Sequence, residues 1–373
     1  MNNNKFINGP INSLRLEGKI NNINKVLYLF GDIHIPHSKQ TKCNMRNNQD
    51  FLDYFKKNIK SNNSIKYDLF FELGPKYNYL VIPEENQKHI DKVAQFFKNS
   101  INIVNGKNKG SIDNTNLRLH YVDFRDIFKL SFNKILHQIY IIINTSICKK
   151  NINNNDLQEL KKLFILLQKD FLSTLDILIN NKQKTKNDNT QFIKHVIDKI
   201  KTKYKNNDIK DKILNSFVIK EINKLYNEFN KTIDQIINFI DEQKLDDNIL
   251  NIDLDKNLDI SYKLFKLYNK IDKTSFKIYS YIIDIYFLRR FLDKEYITNG
   301  IVYMGIYHIT FYCYILVKYF DFKITHIAND TISIKKLENK INKEKFNDNL
   351  DKLLMDKKLN QCSNLSLFPE NFQ

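Results

Sequence analysis

Val26-Leu27-Tyr28-Leu29-Phe30 runs directly into Gly31-Asp32-Ile33-His34: five apolar residues, a glycine, then polar side chains. A short aliphatic and aromatic run that stops at a glycine reads as a buried strand ending in a tight turn. Two further runs of this kind follow. Tyr67 to Glu72 closes at Leu73-Gly74-Pro75, and Leu117 to Val122 closes at Asp123. Between the runs lie segments of helix length, Asp50 to Ile59 and Glu84 to Phe97. Strands alternating with helices predict an α/β fold with a mainly parallel sheet and crossover helices.

Beyond this region the pattern changes. From about Ile127 to Leu292 strand signals vanish and apolar residues recur at three and four, as in Leu157, Leu160, Phe164, Leu167 and Phe171. Phe217, Ile222, Leu225, Phe229, Ile233, Ile236 and Ile240 repeat the pattern, and polar breaks at Asn180 to Asn189 and Lys244 to Asn251 separate the helices. The spacing predicts an all-α subdomain over 127–292, inserted between an N-terminal half-core (1–126) and a C-terminal one (293–330). In the latter, Gly300 to Met304 is a strand running into Gly305, His308 to Phe320 a helix, and Phe322 to Ile327 a last strand. The charged, weakly patterned segment 331–373 reads as a loose tail.

A chain of 373 residues with 42% hydrophobic residues can bury a full core. Its formal charge is +17, but the lysines are spread along the whole chain with no dense basic block. Abundant Asn, Lys and Ile point to A/T-rich codons, so the charge argues only weakly for nucleic acid. No apolar run reaches the ~18 residues of a membrane span, and Met1 to Asn24 is polar without a signal-peptide core. The four cysteines, Cys43, Cys148, Cys313 and Cys362, are widely spaced. They are expected to be unbridged in a reducing, cytoplasmic compartment.

The reactive residues fall at strand ends. His34 lies just past the first strand, Glu72 closes the second, Asp123 and Arg125 follow the third, and His308 follows the late strand. Ligands of open α/β sheets bind beyond the carboxyl ends of the strands, so these groups are expected at one rim. Glycine at each turn permits close backbone approach. Two imidazoles and a carboxylate match a catalytic metal set with a position left for water, which the metal would acidify. Zinc, manganese or cobalt would serve, and no organic cofactor is indicated. Without metal, a Glu-oriented His would act as general base. Asp32-Ile33-His34 is also an Asp-x-His, the opening of two-metal phosphoesterases, but no later Asn-His pair supplies the remaining ligands. The other histidines, His120 among them, show no ligand-like spacing.

The segment from Tyr28 to Pro36 resembles the opening of the TraB/Tiki superfamily, which includes ChaN-like and erythromycin-esterase-like proteins. The likeness rests on Phe30 to His34, Phe71-Glu72-Leu73, Leu288-Arg289-Arg290-Phe291 and Met304 to His308. It covers about the first 75 residues and Asp284 to Ala328. The resemblance implies an α/β core and a hydrolytic site for peptide or ester bonds, metal-dependent in Tiki-like members. It places an arginine at 290, where it would stabilise negative charge, whereas helical spacing turns Arg289 toward an apolar face. The lysine-rich insert departs from the family pattern and leaves the substrate open. The competing expectation is a binding or structural protein that keeps the architecture without activity and contacts nucleic acid or an acidic partner through its basic surface.

Overall fold

The computed structural model describes residues 5–39, 43, 48–60, 65–72, 83, 86–98, 102–104, 107–109, 117–123, 130–180, 200–214, 219–243, 245, 254–328, 332–346, 348–355, 360–369 and 372. The chain forms two compact units. One comprises Met1–Phe124 with Tyr286–Gln373, the other Arg125–Ile285.

The first unit begins with β1 (Phe6–Asn8), β2 (Asn12–Ile20), β3 (Ile23–Asp32), β4 (Asn48–Asp50) and α1 (Phe51–Lys60). It continues with β5 (Tyr67–Phe71), α2 (His89–Lys98), the small pair β6 (Asn102–Val104) and β7 (Lys107–Lys109), and β8 (Leu117–Tyr121). The second unit holds α3 (Leu130–Lys149), α4 (Asn154–Asn180), α5 (Asn207–Ile213), α6 (Ile219–Glu242) and most of α7 (Leu254–Asp293). The chain then returns to the first unit with β9 (Asn299–Gly305), α8 (Ile306–Phe320), β10 (Lys323–Ile327), α9 (Ile334–Lys343), α10 (Asp348–Leu354) and β11 (Cys362–Asn364).

Six strands form the main sheet in the order β10-β2-β3-β9-β5-β8. β3, β9, β5 and β8 run parallel, and β2 and β10 join antiparallel at one side. The expected α/β class with a mainly parallel sheet holds. β5 and β9 are buried along nearly their whole length, which is why they read as apolar runs rather than alternating ones, with Asp68 in β5 the one charged exception.

β2 was hidden in the polar N-terminal stretch. Its Leu14, Leu16 and Ile20 alternate with Arg15, Glu17 and Lys19, a period-two signal lost when the segment is averaged. A two-residue turn, Asn21-Asn22, links it to β3. Both residues have positive φ, 49° and 64°, as hairpin turns of the primed type need and as asparagine tolerates.

One face of the sheet carries an aromatic core. Phe30 lies 4.9 Å from Phe51, Tyr303 lies 4.4 Å from Phe51, and Tyr28 lies 4.8 Å from Phe372 (ring centroids). Phe372 is fully buried, so the described residues of segment 331–373 do not form a loose tail. Leu337 and Ile341 anchor α9, β11 pairs antiparallel with β1, and Cys362 is disulfide-bonded to Cys43. The expectation of unbridged cysteines fails at this pair, because strand pairing brings together residues 319 apart in sequence.

The other face is covered by α8 and the last turns of α7. Phe287 meets Phe70 at 4.9 Å and Tyr312 at 4.2 Å, which ties Tyr286–Asp293 to the first unit although the sequence pattern ran the insert to Leu292. In the second unit the buried stripes of α4 and α6 match the apolar repeats, and Phe171 meets Phe229 at 4.2 Å. Phe217 lies outside the described residues. Among the described residues no helix is long and apolar enough to cross a membrane.

Candidate active site

β3 and β9 are parallel neighbours with Asp32 opposite Gly305, so both Gly-x-x-His turns emerge at the same edge of the sheet. β5, on the other side of β9, delivers Glu72 to that edge. The chain leaves β3 with His34 at a φ of 55°, a left-handed conformation uncommon for a residue with a β-carbon. The buried Asp32 carboxylate imposes it. Its Oδ1 accepts the His34 backbone N–H at 3.1 Å, and its Oδ2 sits 3.2 Å from the ring Nδ1. Asp32 is held in turn by the Gln361 side-chain amide, which also donates to the Gly9 carbonyl at 2.9 Å.

Glu72 is the hub. Its Oε2 accepts the Gly305 N–H at 2.6 Å and lies 3.0 Å from His34 Nε2, while Oε1 lies 3.3 Å from His308 Nε2. Gly305 is needed for close approach. A β-carbon there would stand 3.2 Å from both Glu72 Oε2 and His34 Nε2. His308, in the first turn of α8, is buried, as is Glu72. The His34 side chain is 29% exposed and so forms the open side of the cluster. Burial disfavours a charged His34 ring, but the Glu72 and Asp32 carboxylates outweigh it and push the imidazole up to about 10. His34 is therefore a cation at neutral pH, a proton donor rather than a base.

The donor set fits a divalent cation in chemistry: two imidazoles, one carboxylate, and Asp32 on Nδ1 of His34, the partner that fixes which ring nitrogen faces a metal. As arranged, these groups hydrogen-bond one another directly. Among the described residues no three His, Cys, Asp or Glu side chains stand ready around a cation position.

His34, Glu72 and His308 thus come together. Arg290 does not join them: its Nε donates to His120 Nδ1 at 3.0 Å. Arg289 is buried, with its guanidinium 5.6 Å from the Tyr286 ring centre. Asp123 follows β8 as expected, and Arg125 lies outside the described residues. His120, read as lacking any ligand-like spacing, is the centre of a second polar cluster. Its Nε2 lies 2.7 Å from Asp68 Oδ1, and Arg118 grips the same carboxylate with two nitrogens. A carboxylate in the middle of the apolar strand Tyr67–Phe71 was the available signal, because a buried charge has to be paired. Cys313 is fully buried and burial pushes its thiol far up, which suits core packing rather than nucleophilic chemistry.

Residues 5–373 match DUF5847, described as a family of unknown function. Uncharacterized protein R706 of Acanthamoeba polyphaga mimivirus is 32% identical over 413 residues, covering 100% of this chain and 98% of that protein. Uncharacterized proteins R160 and R161 of the same virus are each 32% identical, over 425 and 430 residues, and cover 97% and 98% of their own lengths. No solved structure matches the chain.

Proposed function

Because the chain belongs to DUF5847, a family without an assigned function, we propose its function from the site itself: a hydrolytic centre for peptide or ester bonds. The observation that carries this is one carboxylate, Glu72, shared between His34 and His308 at the carboxyl ends of three adjacent parallel strands.

The protonated His34, on the open side, donates to the carbonyl oxygen as negative charge develops and then hands its proton to the leaving group. Glu72, released from His34 as that ring turns to the substrate, takes a proton from the attacking water. Passing that proton from Glu72 to His34 restores the starting state. His308 and the Gly305 N–H keep the carboxylate oriented, and Asp32 keeps His34 in its left-handed turn.

A metal-dependent variant of this reading is favoured by the Asp32–His34 contact, since a metal-bound histidine characteristically donates its other nitrogen to a carboxylate. His34, Glu72 and His308 would hold zinc, manganese or cobalt, which supplies an acidified water. The test is a screen of para-nitrophenyl esters and unstructured peptides, before and after chelation. Turnover that falls by about 10²–10⁴ in Glu72→Gln supports the hydrolytic reading, and its loss on chelation selects the metal variant. Turnover unchanged in Glu72→Gln, or absent under all conditions, contradicts it.

A further inference from the structure

The second cluster lies on the same side of the sheet as Glu72. Asp68, Phe70 and Glu72 alternate along one face of the β5 strand and its end. His120 is the register partner of Phe70 and stacks on its ring, with centroids 4.6 Å apart. That sets His120 two residues, or roughly 7 Å, along the strand from Glu72.

The charges in this cluster do not balance evenly. Asp68 is fully buried and is gripped by Arg118 through Nε and Nη2. Burial pushes its carboxyl up, but the bonds from His120 and Arg118 outweigh this and hold it below the usual range. Arg118 is further fixed by the Tyr296 carbonyl at 2.8 Å. Asp68 and Arg118 therefore neutralise each other. His120 gives its Nε2 hydrogen to Asp68, which leaves Nδ1 as an acceptor, and that acceptor takes the Arg290 Nε–H. Burial and the neighbouring Arg290 keep the ring neutral against the pull of Asp68. Arg290 is thus a half-buried cation whose hydrogen-bond partner, among the described residues, is an uncharged ring. With Nε occupied, its two terminal nitrogens form the fork that matches a carboxylate.

We propose that Asp68 and His120 are positioning residues that aim Arg290 at the anionic group of the substrate, so that the site takes carbonyl compounds bearing a carboxylate a few bonds from the cleaved bond. For the identity of the bound molecule as a substrate, this rests on the hydrolytic reading; the anion subsite itself does not. The chain of bonds from Asp68 through His120 to Arg290 fixes the guanidinium plane, and a lysine at 290 would keep the charge while losing the fork.

The experiment measures binding apart from turnover. Glutarate and its uncharged analogue glutaramide are titrated calorimetrically into the full chain and into Arg290→Met, Arg290→Lys, His120→Asn and His120→Phe. Glutarate is expected to bind at least about tenfold more tightly than glutaramide, as one charge-assisted fork allows. The preference should vanish in Arg290→Met and fall in Arg290→Lys. It should be lost in His120→Phe but largely kept in His120→Asn, whose amide can accept from Arg290 and donate to Asp68. Arg290→Met, at a half-exposed position, keeps the test valid should a His120 variant fail to fold. Equal binding of the two probes, or a preference that survives Arg290→Met, overturns the proposal. The mono-para-nitrophenyl ester of glutarate is then compared with the neutral valerate ester. Hydrolysis of both without preference leaves the hydrolytic reading standing and removes this proposal. An Arg290-dependent glutarate preference with neither ester cleaved does the reverse.

Discussion

Replacing Glu72 with glutamine removes one of the two carboxylates that hold the His34 imidazole charged, while keeping nearly the same shape. In the intact site His34 is raised from 6.5 to about 10, with burial opposing and Glu72 and Asp32 raising it. That rise corresponds to a preference for the charged ring of at most about 5 kcal/mol, and nearer half that because the side chain is 29% exposed. Losing Glu72 should lower the His34 midpoint by about 1–3 pH units, with Asp32 sustaining the remainder. The linkage has a definite sign. A histidine raised in the folded state stabilises fully below pH 6.5, and this contribution is lost as pH climbs toward 10. The native protein should therefore lose roughly 2–5 kcal/mol across that window, and Glu72→Gln distinctly less. The assay is carbon-13 NMR titration of the histidine rings in chelator-treated protein, with His34 assigned from the spectrum of His34→Gln, alongside urea unfolding at several pH values. A His34 midpoint equal in both proteins, or below 6.5 in the native one, would refute the reasoning.

Three further outcomes follow from the same geometry. Cys362→Ser, or reduction of the native chain, should lower stability by about 2–5 kcal/mol, because the bridge to Cys43 closes a loop of more than three hundred residues; an unmoved melting curve would count against it. Lys25→Met should cost about 2–4 kcal/mol, since the buried ammonium donates to the carbonyls of Phe291, Lys294 and Ile297 where α7 ends; the urea midpoint reports it. Gly305→Ala should fold almost normally, because its φ of −54° suits alanine. Its methyl would nonetheless crowd Glu72 Oε2 and His34 Nε2, so turnover should fall by about 10–100-fold while the melting temperature barely moves.

The strands that build the site were legible because they are largely buried. β3 and β9 carry unbroken apolar runs, Val26 to Phe30 and Ile301 to Met304, that close on glycines at the rim, while β5 and β8 are still mainly apolar although Asp68, Arg118 and His120 interrupt them. Strand-end placement brought out His34, Glu72 and His308 together with Asp123 and Arg125, and the family resemblance rested on segments that hold the first three. β2 was illegible to composition, since its alternating Leu14 and Leu16 are diluted by Arg15, Glu17 and Lys19. The C-terminal segment failed for a related reason. Leu337 and Ile341 on α9 are separated by Glu338, Asn339 and Lys340, and the value of Phe372 lies wholly in a distant aromatic cluster. Gln361, which secures Asp32, lies 329 residues from it, and no local pattern announces such a contact. The bond from Arg290 to His120 was not legible either, because helix periodicity gives the face of a residue but not its partner, and His120 sits on a strand 170 residues earlier.

The most direct test of the central claim is the rate of ester or peptide hydrolysis by the full chain set against that of His34→Gln, which removes the one imidazole of the pair that faces outward. The account predicts measurable turnover in the native protein and a loss of about 10²–10⁴ in the variant, with the fold intact by circular dichroism. Equal rates in the two proteins would contradict it.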